Sequence, residues 1–132
     1  MQKVEALALS IAYQNSAFDP GSLAFRNLNP GNLKTYRPEK RVDSENYRVF
    51  SSWAGGFKAL IADIQAKVSG KNQSLSSESE LHELLLRRGF KTEMAQQPII
   101  RFLRKALGDD ALTVHTPISY FAETEETEVV NG

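Results

Sequence analysis

Between Ser16 and Lys34 the chain gathers Arg26, Asn27, Asn29 and Asn32, a guanidinium and three amides within seven positions. Such groups hydrogen-bond either a polar ligand or the backbone of their own loop, and for Asn27 and Asn29 the sequence leaves both open. Asn29-Pro30-Gly31-Asn32 reads as a tight turn, with Pro30 presetting φ at its second position and Gly31 accepting the positive φ of a type II turn. Asp19-Pro20-Gly21 is a second turn signal. A connection this long and this stiffly built shapes a surface. Asn15, where the preceding helix meets the loop, suits a left-handed helix terminus and also a hydrogen bond to a ligand. Tyr36 and Tyr47 can stack on a ring or pair across strands.

The elements that position these residues follow from periodicity. Val4, Leu7, Ala8 and Ile11 recur at helical spacing and predict an amphipathic helix over residues 2–14, ended by Asn15-Ser16. Tyr47-Arg-Val-Phe50 alternates as a strand does, and Leu33–Tyr36 is its expected partner, giving a small hairpin with a charged tip at residues 37–45. Ser51 or Ser52 caps a second helix whose stripe is Trp53, Phe57, Leu60, Ile61, Ile64 and Val68. Gly55-Gly56 inside it costs about 1 kcal/mol per glycine against alanine, which points to close packing on another backbone.

Residues 70–76 read as a linker, and Ser77-Glu-Ser-Glu80 as a capping box before Leu81, Leu84 and Leu85. Gly89 ends that helix. Pro98 opens or kinks the next, which runs to Gly108. Thr116–Phe121 makes a last helical turn with its apolar residues docked on the body. The fold class expected is α+β, mainly helical, in one domain over residues 1–121, with an acidic disordered tail at 122–132.

Composition narrows the classes. The 132 residues are 41% hydrophobic and 24% charged, which suits one soluble core. Net charge is zero, but four glutamates and no base lie in the tail, so it carries −4 and the body +4. Without cysteine there is no disulfide or thiolate metal site, and with only His82 and His115 no multi-histidine metal site or other cofactor is expected. No stretch reaches the ~20 apolar residues that span a bilayer. Glu5 interrupts the N-terminus too early for a secretory signal, leaving a cytosolic protein, a mature fragment or an export by another route all open.

Residues 11–33, Ile-Ala-Tyr-Gln-Asn-Ser-Ala-Phe-Asp-Pro-Gly-Ser-Leu-Ala-Phe-Arg-Asn-Leu-Asn-Pro-Gly-Asn-Leu, resemble the front half of the lysozyme-like transglycosylase and phage endolysin domains. Those domains share a helix ending in Glu, then a loop with an Arg-Asn-x-Asn-Pro-Gly-Asn/Asp-Leu core. Phe50-Ser-Ser-Trp-Ala-Gly-Gly-Phe-Lys-Ala-Leu60 resembles the family's next block. The likeness covers residues 4–70 and weakens beyond them.

The resemblance implies a lysozyme-like cleft between helices and hairpin, holding a glycan strand of peptidoglycan as partner, with Arg26, Asn27, Asn29, Asn32, Tyr36 and Tyr47 as substrate-binding positions. It also implies a glutamic acid at the end of the first helix, kept protonated against an apolar wall to protonate the glycosidic oxygen. That position is Asn15 here. An amide has no proton to give, and losing a general acid costs about 10²–10⁴ in rate. The family's later block, matched against Arg88–Gln97, keeps little of its pattern, a second sign of a relaxed active site.

The leading expectation is therefore a glycan-binding domain with catalysis lost or weakened. The alternative is a working hydrolase or lytic transglycosylase in which Asp19, or Asp43 or Glu45 on the hairpin tip, replaces the acid, since two carboxyls about 5–10 Å apart across a sugar suffice. Asp19 before Pro20 also has an ordinary use as a turn former. A third reading takes Arg87, Arg88, Lys91, Arg101, Arg104 and Lys105 as a face for a protein or an anionic polymer, against the commoner solvated face. No nucleic-acid motif accompanies them, and a monomer is expected.

Overall fold

The structure, a computed structural model, describes residues 1–70, 75–76 and 78–122. It is mainly helical, with five α-helices and a closing 3₁₀ turn among the described residues. These are α1 (Lys3–Gln14), α2 (Leu23–Arg26), α3 (Trp53–Val68), α4 (Leu81–Arg87) and α5 (Glu93–Leu107), followed by the 3₁₀ turn Ile118–Ala122. The chain divides into two compact units. One, the loop unit, is Ala8–Asp63; the other, the helical unit, joins Met1–Leu7 to the chain from Ile64 onward. The expected tail lies outside the described residues from 123 onward, as do most of the expected linker and Ser77 of the expected capping box.

In the loop unit, the half of α1 from Ala8 and the half of α3 up to Asp63 frame the segment between them. Ala8, Ile11, Ala12, Ala17, Ala24, Leu33 and Leu60 are buried, and Trp53 and Phe57 pack half-buried against Ala12, Ala17 and Ala24. Within the long loop Ser22 accepts the Phe25 N–H at 3.0 Å and caps the short α2, an element the polar composition of the segment conceals. Ser52 caps α3 by accepting the Gly55 N–H at 3.0 Å. The two glycines behind it are unlike. A Cβ on Gly56 would collide with the Leu28 carbonyl oxygen and lie 2.8 Å from Pro30 Cδ, so close backbone approach explains Gly56. Gly55 has only the Ser52 hydroxyl as a close neighbour.

The expected hairpin is absent: the described residues contain no sheet, only isolated bridges. Tyr47 bridges Lys34 and Arg48 bridges Val42, both antiparallel, so residues 47–48 turn from one neighbour to the other after a single pairing each. A ladder needs consecutive extended residues, and Asn46 at φ 69° breaks the run immediately before Tyr47. Residues 41–43, assigned to the free tip of a hairpin by their charge, fold back instead, with the Val49 N–H on the Arg41 carbonyl and the Asp43 N–H on that of Tyr47.

The helical unit buries Leu81, Leu84 and Leu85 from α4, Ile99, Ile100 and Leu103 from α5, and Leu112, Ile118 and Phe121 beyond them. The N-cap of α4 is Glu80, in a capping box with Glu83, whose Oε2 accepts the Glu80 N–H at 2.8 Å. Gly89 follows α4 at φ 95°, where only glycine is unstrained. Thr92 caps α5 through the Ala95 N–H, so Pro98 lies inside the helix rather than opening it. One proline near the start removes one bond, and a capped helix that also buries Ile99, Ile100 and Leu103 tolerates that loss. Glu93 in the first turn and Arg104 and Lys105 in the last complement the helix dipole.

Candidate functional site

Asn15 follows the last residue of α1 and keeps helical bonding, its N–H on the Ile11 carbonyl at 3.0 Å. The left-handed residue is the next one, Ser16 at φ 58°. The Asn15 side chain therefore serves another purpose: Nδ2 donates to the Pro30 carbonyl at 3.0 Å and ties the helix end to the Asn-Pro-Gly-Asn turn. In that turn the Asn32 N–H meets the Asn29 carbonyl, and the positive φ falls on Asn32 at 49° rather than on Gly31. Gly31 is there for space, because a Cβ would press into the Leu60 side chain.

The loop amides divide by what they reach. Asn29 is wholly buried; its Nδ2 donates to the Leu33 and Arg48 carbonyls at 2.9 and 3.0 Å, and its Oδ1 accepts the Leu33 N–H at 3.0 Å. Asn27, also buried, donates to Asp43 Oδ2 at 2.9 Å. Asp43 Oδ1 accepts the Glu45 and Tyr47 N–H groups at 2.9 and 3.0 Å, so this carboxylate organises the whole turn. The Asn27 bond, helped by these backbone donors and by the charge of Arg26 and opposed by desolvation, holds the Asp43 carboxyl below its ordinary value. Asn32 is half-buried, and its Oδ1 is a buried acceptor with no hydrogen-bond partner among the described residues.

Among the carboxylates, Asp19 accepts the Gly21 N–H at 3.1 Å and closes its own turn. Glu45 is exposed. Arg26 is exposed as well, while Tyr36 is 78% exposed and Tyr47 lies half-buried under Lys34 Nζ, 4.6 Å from its ring centroid. Thus the fold joins Asn15 to the turn through Pro30 and Asn27 to Asp43, and leaves Arg26, Tyr36 and Glu45 facing solvent.

Phe18 and Phe25, which sequence reasoning passed over, join Trp53 and Phe57 of the α3 stripe in an aromatic group. Phe18 lies 6.0 Å from Trp53 and 6.3 Å from Phe57, and Phe25 meets Trp53 edge-on at 5.7 Å. Phe18 is 51% exposed, so the group ends in an accessible apolar face. Its sequence signal was present, since a large apolar residue inside a turn-rich loop has no helical stripe to join.

A second grouping lies in the helical unit. Glu80 Oε1 is 2.8 Å from His115 Nδ1 and 3.2 Å from His82 Nε2. The His115 contact, assisted by the charges of both rings and opposed by desolvation, holds the Glu80 carboxyl below its usual value. Spacing gives no sign that Glu80 and His115, 35 positions apart, meet.

No protein-family model, curated protein or solved structure matches this chain.

Proposed function

We propose that the loop unit is a lysozyme-like scaffold that binds peptidoglycan-type glycan strands as a monomer and lacks a working general acid. The carrying observation is Asn15. It follows α1 at the position where the resemblance places a protonated carboxyl, and its amide is engaged with the Pro30 carbonyl. The candidate carboxylates are poorly suited to supply the missing proton. Asp43 is held as an anion by Asn27, the opposite of the raised pKa that a general acid needs. Asp19 is occupied with the Gly21 N–H. Glu45 is exposed, without the apolar wall that keeps such a carboxyl protonated.

Binding is a separate matter from cleavage. Exposed aromatic faces at Phe18 and Tyr36 offer stacking surfaces for sugar rings, and the exposed Arg26 offers polar contacts to N-acetyl and hydroxyl groups. The test is turnover of purified peptidoglycan by the native chain beside Asn15→Glu. An inert native chain and an active variant would support a glycan site that lacks only its acid. Cleavage by the native chain, lost in Asp19→Asn or Glu45→Gln, would replace this reading with a working enzyme.

A further inference from the structure

We propose that Glu80, His82 and His115 form a binding site for a divalent transition cation, with zinc as the ion their donor set suits. One carboxylate and two imidazoles offer one donor atom each, and these three atoms all lie within 4.8 Å of one another. Mixed imidazole and carboxylate donors favour zinc and its late first-row neighbours over magnesium or calcium, which take oxygen shells. A tetrahedral ion about 2.0–2.2 Å from each donor separates the donors by roughly 3.3–3.5 Å. The Glu80–His82 spacing of 3.2 Å nearly meets that, and the Glu80–His115 spacing of 2.8 Å must open by about half an ångström.

The backbone fixes all three residues without help from an ion. Glu80 is the N-cap of α4, and its backbone bridges Pro117. The Leu81 N–H bonds the Thr116 carbonyl and the His82 N–H bonds the Val114 carbonyl, both at 2.8 Å, and the Ile118 N–H bonds Ser79. His115 sits in a turn held by the Thr113 N–H on Thr116 Oγ1 and by its own N–H on Thr113 Oγ1. Preorganisation of this kind lowers the entropy lost on binding, which three donors on free loops would have to offset.

Room for further ligands adjoins the cluster. A cavity of about 310 Å³ is lined by both histidines together with Lys91, Glu93 and Gln96. A three-ligand zinc site keeps a fourth position for water or an anionic group. Lys91 opposes a bare cation there and favours an anion bound beside it, and Glu93 offsets part of its charge. The bound ion would fasten the start of α4 to the 113–116 turn and stabilise the helical unit.

The test is calorimetric titration of zinc chloride into the full chain, carrying no polyhistidine tag, beside magnesium chloride. One zinc per chain, no magnesium binding and a raised melting temperature are expected. His82→Gln and His115→Gln should each weaken zinc by at least about tenfold while the far-ultraviolet circular dichroism stays unchanged. These are the chain's two histidines, so their imidazole NMR signals in the unmutated protein report the site even if a variant misfolds. Both should shift together and saturate at one equivalent. No binding up to millimolar zinc, unshifted imidazole signals, or full affinity in both folded variants would overturn the proposal.

Discussion

The Asn15 amide donates to the Pro30 carbonyl at 3.0 Å across 15 positions of sequence, so the end of α1 and the Asn-Pro-Gly-Asn turn are one structural piece. An aspartate in that position offers no donor in its ionised form. Asn15→Asp should therefore lose about 0.5–1.5 kcal/mol, the net worth of one bond. Urea unfolding checks it: the midpoint should fall with the slope unchanged.

Asn29 makes three bonds while wholly buried, and Tyr36 stands in solvent. Asn29→Ala should strand the Leu33 N–H and the Leu33 and Arg48 carbonyls and destabilise the chain by roughly 3 kcal/mol or more. Tyr36→Ala should stay within about 0.5 kcal/mol of the native stability and weaken glycan binding instead. Chemical denaturation and glycan titration of the two variants separate architecture from contact.

The two glycines of α3 should respond differently to a methyl group. Gly56→Ala drives a methyl into the Leu28 carbonyl and Pro30 and should cost about 2 kcal/mol or more, because backbone must move. Gly55→Ala asks only a small shift of the Ser52 side chain and should remain within about 0.5 kcal/mol. Thermal unfolding of both variants distinguishes the cases.

Asp43 makes stability pH-dependent in a known direction. Its folded carboxyl lies below the unfolded value of 3.8, so its contribution is present above that pH and is lost as pH falls through the folded value. Asn27→Ala removes the largest cause of the shift. The stability gap between native and variant should hold steady near neutrality and narrow in acid, as followed by denaturant midpoints across the acid limb.

Much of the fold could be read from residue pattern, and the exceptions have physical causes. The stripe Val4-Leu7-Ala8-Ile11 is buried as its spacing requires, and of the α3 stripe Leu60, Ile64 and Val68 are buried while Trp53, Phe57 and Ile61 are half-buried. The start of α5 was obscured because Pro98 outweighs Thr92 as a local signal, while the fold responds to the cap and the buried face together. The hairpin failed on Asn46, whose positive φ no alternation pattern records. For the candidate site, an asparagine amide serves a ligand and a loop equally well. Only the carbonyls of Leu33 and Arg48 around Asn29, and Asp43 beside Asn27, decide which. The Glu80-His82-His115 cluster depends on pairing of the 79–82 and 114–118 backbones, a long-range contact that residue spacing does not encode.

The most direct test of the central claim is co-sedimentation of the full native chain with purified peptidoglycan, with new reducing ends and anhydro products assayed in the supernatant. Saturable binding with neither product is the result this account predicts. Release of either product, or no sedimentation with the glycan at all, would contradict it.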